Sequence, residues 1–282
     1  MGFLVKCGEL RKQTQAAFAS VGSKPVAIHT DISRIGVPEG ATSKDAMKTI
    51  YGEIFDAIAS ERTVLIPAFN YDFCKTGVYS VEDDPSQLGQ FTEYMRRRTD
   101  IRTQTPVFNF TVMNYSGCPL EPSDNPFGAT STFQWLMDND GWVAFFGAKF
   151  MYNTFVHFIE ESIPVTYRYH KLFPGVVTAG KVSQKIELIY RVKPMIPGAV
   201  DYDWTRHQKE TVDAGIVESH CVGHGEVLVF RCRSLYDFWR DKMLQDDRYL
   251  LTAESRKMTD ELYAKYGCPL TVIAVEGIGA SS

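Results

Sequence analysis

Hydrophobic positions along the chain group into short continuous runs and into stripes with helical spacing. Residues 24–30 (KPVAIHT) and 62–69 (RTVLIPAF) are apolar runs, and each predicts a buried strand. Between them, apolar side chains recur every three or four residues and predict an amphipathic helix: Met47, Ile50, Tyr51, Ile54, Phe55 and Ile58. Thr42 and Asp45 resemble a capping box at its start. This order of strand, helix and strand favours an α/β sheet.

The later part of the chain continues these patterns. Runs that predict strands, or a hairpin in the first case, occupy residues 106–117, 141–148, 185–196, 226–233 and 270–275. Five further helices are predicted. One follows Pro85, one covers residues 130–140, one begins after an N-cap at Asn153, and the last two cover 234–244 and 254–267. We see no repeat, low-complexity segment or linker, so we predict one domain over residues 1–282. Its expected architecture is a central mixed β-sheet flanked by helices, with a small additional antiparallel sheet.

Composition and charge narrow the class of protein. The 282 residues are 44% hydrophobic and 23% charged, and a formal net charge of −4 gives no sign of binding to nucleic acid or a membrane. No apolar run approaches the roughly 18 residues that span a bilayer. The N-terminus lacks the long apolar stretch of a signal peptide, so we expect a cytoplasmic protein. The cysteines are scattered without a C-x-x-C pair, which disfavours a zinc or redox motif: Cys7, Cys74, Cys118, Cys221, Cys232 and Cys268.

Two connections are candidate ligand loops. Residues 31–43 (DISRIGVPEGATS) leave the first predicted strand, and in α/β sheets ligands collect where loops leave the carboxyl ends of strands. Residues 70–84 (NYDFCKTGVYSVEDD) form a long polar and aromatic connection after the second strand. Connections of this length inside a domain are often functional, so both segments are expected to contact a ligand.

The stretch NTFVHFIEES, residues 153–162, carries the clearest candidate chemistry. On a helix, Glu160 and Glu161 lie three and four residues from His157 and share its face. A histidine with an unperturbed pKa near 6.5 suits a general base, and a neighbouring carboxylate is expected to raise that pKa and fix the tautomer. The alternative is an ordinary structural histidine beside two solvated glutamates.

Other chemistries have weaker support. His157 with Glu160 or Glu161 supplies only two metal ligands, and no other histidine has a recognisable ligand spacing, so no metal is expected. A G-x-S-x-G nucleophile elbow is absent from the sequence. Residues 128–133 (GATSTF) run from a glycine turn into a predicted helix. There Ser131 and Thr132 either cap the helix or stabilise an oxyanion.

Several stretches resemble, in order, the aminoglycoside 3-N-acetyltransferase family. They are HTDISRIG, TVLIPAFNYDFC, residues 126–161 with their N-T-x-x-H-x-x-E motif, DYDW at 201–204 and VGHGEVLVFRCRSLYDF. The resemblance implies acyl transfer from acyl-CoA, most simply acetyl-CoA, to a sugar amine. It implies that His157 is the catalytic base, that Glu160 belongs to the same motif, and that Asp203 or Asp201 orients the imidazole. Residues matched to the coenzyme A channel or beside it are Thr30, Ser33, Arg34, Gly36, Ser131 and Thr132.

The chain also departs from the pattern of antibiotic-modifying members. Their R-S-x-H-P motif has Thr105 at its histidine position here, and residues 70–89 look more like relatives that act on nucleotide-linked 4-amino-4,6-dideoxysugars or cytidylyl aminophosphonates. The predicted acceptor is therefore a nucleotide-linked amino-dideoxysugar of polysaccharide or O-antigen biosynthesis. Three residues are predicted to bind this acceptor. Tyr71 is expected to contact a sugar or base face, Asp72 an ammonium group and Lys75 a pyrophosphate.

Three alternatives stay open at this point. The acceptor could be an aminoglycoside, as the family name implies. The chain could be an inactive module that binds coenzyme A or a sugar nucleotide. A covalent route could use Cys74 or Cys221 as the nucleophile. The sequence fixes neither the acyl group nor the oligomeric state, and homo-oligomerisation is left open.

Overall fold

The computed structural model describes residues 4–276, which form strands and helices in alternation. The strands are β1 Leu4–Val5, β2 Val26–Thr30, β3 Val37–Pro38, β4 Val64–Pro67, β5 Val78–Ser80, β6 Phe110–Met113, β7 Trp142–Phe146, β8 Tyr169–Ala179, β9 Val182–Val192, β10 Glu218–Val222 and β11 Gly225–Arg231. The helices are α1 Cys7–Ala17, α2 Ile32–Ile35, α3 Lys44–Ala59, α4 Phe73–Thr76, α5 Gln90–Arg98, α6 Thr132–Asp138, α7 Phe155–Glu161, α8 Trp204–Asp213, α9 Cys232–Gln245, α10 Ala253–Tyr266 and α11 Val272–Glu276, with a 3₁₀ turn at Phe150–Tyr152.

The strands build the predicted class of fold. The central sheet has the order β10-β11-β7-β2-β4-β6, in which β7, β2 and β4 are parallel and the remaining pairs are antiparallel. A second sheet consists of the long β8–β9 hairpin with β5 parallel to β8, and β1 pairs with β3. The prediction of a central mixed sheet with helices and a smaller additional sheet is confirmed.

Apart from His29 and Thr30 at the end of β2, the parallel strands are apolar, because both faces of the sheet are buried. Along β2, Val26 and Ile28 belong to one hydrophobic cluster, whereas Ala27 belongs to another. The same alternation recurs along β4, where Leu65 and Ile66 lie in different clusters. Successive side chains of a strand point to opposite faces, so a strand covered on both sides must be continuously hydrophobic.

Several local predictions need correction. Ser43, rather than Thr42, caps α3, since its side chain accepts the N–H of Ala46 at 3.1 Å. Residues 270–275 were expected to form a strand, but α11 covers Val272–Glu276. This helix lies against β8, where the Tyr169 hydroxyl donates to Glu276 at 2.8 Å. A short apolar run has no periodicity that separates a strand from a helical turn.

The carboxyl ends of the parallel strands define one edge of the central sheet. β2 ends at Thr30, β4 at Pro67 and β7 at Phe146. Gly147 follows β7 with φ +70°, and a Cβ there would stand 2.3 Å from the carbonyl oxygen of Asp31. Only glycine allows these two strand ends to approach so closely. Within residues 4–276, no helix is both long enough and apolar enough to cross a membrane.

Candidate active site

A cavity of about 1030 Å³ opens at this edge of the sheet. Its volume lies at the upper end of the roughly 300–1,000 Å³ typical of small-molecule sites, which suits a long ligand or two ligands together. The wall combines the end of β2, the start of α3, the segment after β4 and the segment from Ala148 into α7. Residues that represent these elements are Thr30, Lys44, Lys48, Phe69, Tyr71, Ala148, Asn153 and His157.

His157 lies on this wall and is fixed by Glu160. Its Nδ1 is 2.8 Å from Oε2 of Glu160, one helical turn later on α7. The imidazole packs edge-on against Phe127 at 5.5 Å between ring centroids, and 26% of the side chain remains exposed. An ionised Glu160 can only accept, so Nδ1 carries the hydrogen and Nε2 has the free lone pair.

Glu160 is 1% exposed, and several side chains donate hydrogen bonds to its carboxylate. The Tyr167 hydroxyl donates to Oε1 at 2.7 Å, and Arg168 Nε lies 3.1 Å from the same oxygen. The Tyr202 hydroxyl also donates to Oε1. Burial acts to raise the pKa of Glu160, but the Arg168 guanidinium, together with the hydrogen bonds from His157 and Tyr202, holds this pKa at about 2. The carboxylate is therefore ionised at neutral pH.

The pKa of His157 differs from the sequence-based expectation. Burial is the largest influence and lowers this pKa below its ordinary value, and the nearby Arg168 charge lowers it further. Glu160 acts in the opposite direction but does not prevail, so the expected rise is corrected to a fall. A lowered pKa leaves the imidazole neutral at pH 7, which is the state a general base requires.

The predicted coenzyme residues divide into two groups. Thr30 and Ser33 line the cavity, and the Ser33 hydroxyl donates to Oδ1 of Asp31 at 2.5 Å. Arg34 and Gly36 are not among the lining residues. Gly36 instead uses its carbonyl to accept the hydroxyl of the buried Tyr51 at 2.8 Å, which anchors α2 to α3.

Ser131 and Thr132 lie at the start of α6, away from the cavity wall. Ser131 is buried and accepts the N–H of Gln134 at 3.1 Å, so it acts as the helix N-cap. Thr132 is buried with it. Neither residue is among those that line the cavity. The capping alternative therefore describes Ser131 in this structure.

The predicted acceptor residues are also divided. Tyr71 lines the cavity, whereas Asp72 and Lys75 do not. Asp72 accepts Nε2 of Gln87 at 2.9 Å, and Gln87 is the residue of this pair that reaches the wall. Lys75 lies exposed on the short helix α4.

Asp203 is not the partner of His157. It caps α8 by accepting the N–H of Arg206 at 3.1 Å. Asp201 lines the cavity, and its Oδ1 lies 3.9 Å from Nζ of Lys193. Tyr202, which lies between Asp201 and Asp203 in the sequence, donates its hydroxyl hydrogen to Glu160. The carboxylate that orients the imidazole in this structure is therefore Glu160.

The two candidate cysteine nucleophiles lie off the cavity wall. Cys74 has its sulfur 3.3 Å from the Tyr190 hydroxyl, and burial raises the pKa of its thiol, which disfavours the thiolate. Cys221 is exposed on β10 at the edge of the central sheet. Neither lines the cavity, so the geometry gives no support to a covalent cysteine route.

Sequence reasoning missed several residues of the site. Arg168, Tyr167 and Tyr202 surround Glu160. Tyr167 and Arg168 come from a segment that carries no local motif, whereas Tyr202 lies within DYDW, where the two aspartates were selected instead. His29 also lines the cavity and stacks on Phe145 at 5.0 Å. The pattern HTDISRIG contained His29, as DYDW contained Tyr202, and these two stretches were the available signals. Among residues 4–276, no group of three or more His, Cys, Asp or Glu side chains is arranged to hold a metal ion.

Comparisons with known proteins agree with this architecture. The family model described as aminoglycoside 3-N-acetyltransferase matches residues 28–244. The aminoglycoside acetyltransferase AAC(3)-Xa is 18% identical with a TM-score of 0.67, and the match covers 88% of this chain and 94% of that one. AAC-IIIb in a binary complex with CoASH is 16% identical with a TM-score of 0.69, covering 89% and 99%. A mutant of AAC(3)-IVa in complex with a gentamicin is 15% identical with a TM-score of 0.62, covering 91% and 95%. No curated protein sequence matches.

Proposed function

The chain belongs to the aminoglycoside 3-N-acetyltransferase family, and on that premise we propose that it transfers an acetyl group from acetyl-CoA to an amino group of an aminoglycoside-type amino sugar. The observation that carries this proposal is the His157–Glu160 pair on the wall of a 1030 Å³ cavity. The pair supplies a neutral base of fixed tautomer, and the cavity has room for a pantetheine arm and an acceptor together. The family and the enzyme class, an N-acetyltransferase, agree with the sequence-based prediction.

His157 acts as the general base. Attack on a thioester requires a neutral amine, and Nε2 of His157 removes the amine proton as the nitrogen approaches the carbonyl carbon. Proton transfer of this kind typically accelerates a reaction by about 10²–10⁴-fold. Glu160 holds the tautomer and stabilises the imidazolium that forms, as a buried carboxylate does in hydrolase triads.

The coenzyme fits the end of β2 and the start of α3. Thr30 and Ser33 offer hydroxyl groups to the pantetheine arm, and Lys44 and Lys48 bring positive charge to the same cavity. These lysines suit the phosphates of coenzyme A, since an ammonium group is a compact partner for phosphate oxygens.

The acceptor proposed here differs from the main prediction made from the sequence. That prediction relied on Asp72 and Lys75 to bind a nucleotide-linked sugar, and neither residue lines the cavity. The comparisons favour an aminoglycoside. A nucleotide-linked amino sugar remains the second candidate because of one observation: among the described residues, the basic side chains on the wall are Lys44, Lys48, Arg168 and Lys193, against the acidic Asp31 and Asp201.

Coenzyme A release over a panel of acceptors tests the proposal. Purified protein is incubated with acetyl-CoA and gentamicin, apramycin or a nucleotide-linked 4-amino-4,6-dideoxysugar, and free thiol and product mass are measured. We expect thiol release with an aminoglycoside and a product that carries one added acetyl group. Release only with the nucleotide-linked sugar would replace the proposed acceptor by the second candidate. Binding of coenzyme A without release for any amine would indicate a binding module.

A further inference from the structure

Asn153 is a buried polar residue on the cavity wall whose side chain is not used by the fold. Its side chain is 2% exposed, and within residues 4–276 neither Nδ2 nor Oδ1 has a hydrogen-bond partner. Asn153 lines the same cavity as His157, which follows it four residues later in the sequence. Buried polar groups without partners are rare in folded proteins, so an unpaired amide at a ligand cavity points to a bond made with the ligand.

The backbone of Asn153 is held firmly although its side chain is not. Its N–H donates to the carbonyl of Phe150 at 3.1 Å, and its own carbonyl accepts the N–H of Val156 at 3.3 Å. The residue was expected to cap the following helix, but Thr154 occupies the cap of α7. The residue is thus held at its backbone, and the χ2 torsion that sets the orientation of the amide has a broad and soft profile.

The chemistry of the carboxamide restricts what it can bind. It presents a donor and an acceptor side by side, so a matched ligand must offer an acceptor next to a donor. A thioester alone offers only its carbonyl oxygen, and a trans secondary amide of pantetheine points its N–H and C=O in opposite directions. When an amine adds to the thioester carbonyl, the new oxyanion and the nitrogen that carries the remaining N–H are bonded to the same carbon atom. That arrangement matches both halves of the amide.

Building on the proposed function, we infer that Asn153 is a catalytic residue that forms the oxyanion site. Nδ2 donates to the thioester oxygen, and Oδ1 accepts the remaining N–H of the attacking amine. Because both bonds exist together only after the C–N bond begins to form, Asn153 binds the transition state more tightly than the separate substrates.

The step is balanced in atoms and charge. The amine lone pair forms the C–N bond, and the carbonyl π electrons move to the oxygen that Nδ2 of Asn153 holds. His157 Nε2 takes one amine proton. Collapse of the intermediate reforms the carbonyl and breaks the C–S bond, and the His157 proton passes to the departing sulfur. The products are the N-acetylated sugar and coenzyme A.

Two further observations agree with this assignment. Ser131 and Thr132, the sequence-based candidates for this task, are absent from the cavity wall. The hydroxyl of Thr30 is a second buried polar atom on the wall that has no partner within the described chain. Two unpaired polar side chains on separate elements of one wall offer hydrogen-bonding groups that a polar ligand in this cavity can pair with.

Kinetics of N153A and N153D test the inference. N153D keeps the shape of the side chain but removes the donor, so both variants are expected to lose turnover. Removal of one oxyanion donor typically lowers kcat by about 10²–10³-fold, and we expect this loss with KM for acetyl-CoA changed less than about threefold. The thermal midpoint of N153A should be unchanged or higher, because the side chain makes no hydrogen bond with any residue in 4–276. Thr111→Val is the matched control, since its hydroxyl is equally buried and unpaired within the described residues but lies in β6 away from the wall, and its kcat should be unchanged.

An infrared measurement separates this inference from the proposed function. The carbonyl stretch of acetyl-CoA labelled at the thioester carbon should move to lower frequency when bound to the wild type, and less when bound to N153A. A weaker coenzyme affinity with normal kcat would overturn the inference and make Asn153 a pantetheine-binding residue, and a collapsed thermal midpoint would make it structural. If the wild type releases no coenzyme A with any amine, the proposed function fails, while equal stretches in both proteins refute the inference alone.

Discussion

At the scale of single residues, burial and two opposite charges set the pKa of His157. Glu160 is bonded to Nδ1, and the guanidinium of Arg168 lies 3.0 Å from the same carboxylate. Burial and Arg168 together outweigh Glu160 and lower the pKa of His157. The spacing of His157 and Glu160 in the sequence was enough to predict the pair. The direction of the pKa shift was not predictable, because it depends first on the burial of the imidazole and then on Arg168, and no local pattern linked either to the helix.

A titration of His157 by NMR measures this balance in the free enzyme. The midpoint for protonation should lie below the ordinary value of 6.5, and the signal is assigned by its loss in H157N. In E160Q the midpoint should fall further, because the positive charge of Arg168 then acts unopposed. A midpoint above 6.5 in the wild type would mean that Glu160 controls the pKa, and it would contradict the assignment.

Replacement of Glu160 should affect stability and turnover together. In E160Q the buried Arg168 loses its counter-charge, and breaking a buried ion pair typically costs about 3–5 kcal/mol of unfolding free energy. The tautomer of His157 is also no longer fixed, so turnover should fall by at least about tenfold, and by no more than it falls in H157N. H157N is the control, since it keeps the Glu160–Arg168 pair and should lose turnover with little loss of stability. Chemical denaturation and coenzyme A release measure the two effects.

At the scale of elements, the cavity exists because three parallel strands end at one edge and the next segments turn over it. The sequence predicted β2, β4 and β7, since strands buried on both faces are continuous apolar runs. It missed α1 and α8, and it assigned a strand to α11. These errors share a cause: helices with mixed polar faces and short apolar runs obtain their conformation from tertiary packing, which a local pattern does not contain.

The turn after β7 is the most constrained of these elements. Gly147 has φ +70°, and an added Cβ would lie 2.3 Å from the Asp31 carbonyl oxygen. G147A should therefore lower the unfolding free energy by more than about 2 kcal/mol, from backbone strain and the clash together. Gly180 in the β8–β9 turn has φ +57° with nothing near its Cβ position, so G180A should cost only about 1 kcal/mol. Equal losses in urea denaturation would show that the two strand ends can move apart without cost.

At the scale of the whole molecule, stability should depend on pH through buried groups beside the cavity. Burial lowers the pKa of His29 from 6.5 to about 4. As pH falls through this interval, the unfolded chain gains a proton on His29 that the folded protein does not accept, so the folded state loses stability. The pKa of Glu160, at about 2, adds a second loss at lower pH, below the ordinary range of a glutamate.

The loss of unfolding free energy that we assign to His29 can be measured directly. The shift of the His29 pKa from 6.5 to about 4 corresponds to about 3 kcal/mol of unfolding free energy, since each pKa unit is equivalent to 1.36 kcal/mol. Urea denaturation between pH 6.5 and pH 4 should show a steeper fall for the wild type than for His29→Gln, which has no ionisable group at that position. Parallel curves for the two proteins would show that His29 does not control acid stability.

Turnover of H157N at saturating acetyl-CoA and acceptor most directly tests whether His157 takes the amine proton. We expect kcat to fall by at least about tenfold, while the affinity for coenzyme A stays nearly unchanged, because the imidazole acts on the proton and not on the bound coenzyme. Turnover equal to that of the wild type would contradict a base at His157 and would mean that the amine enters the cavity already neutral.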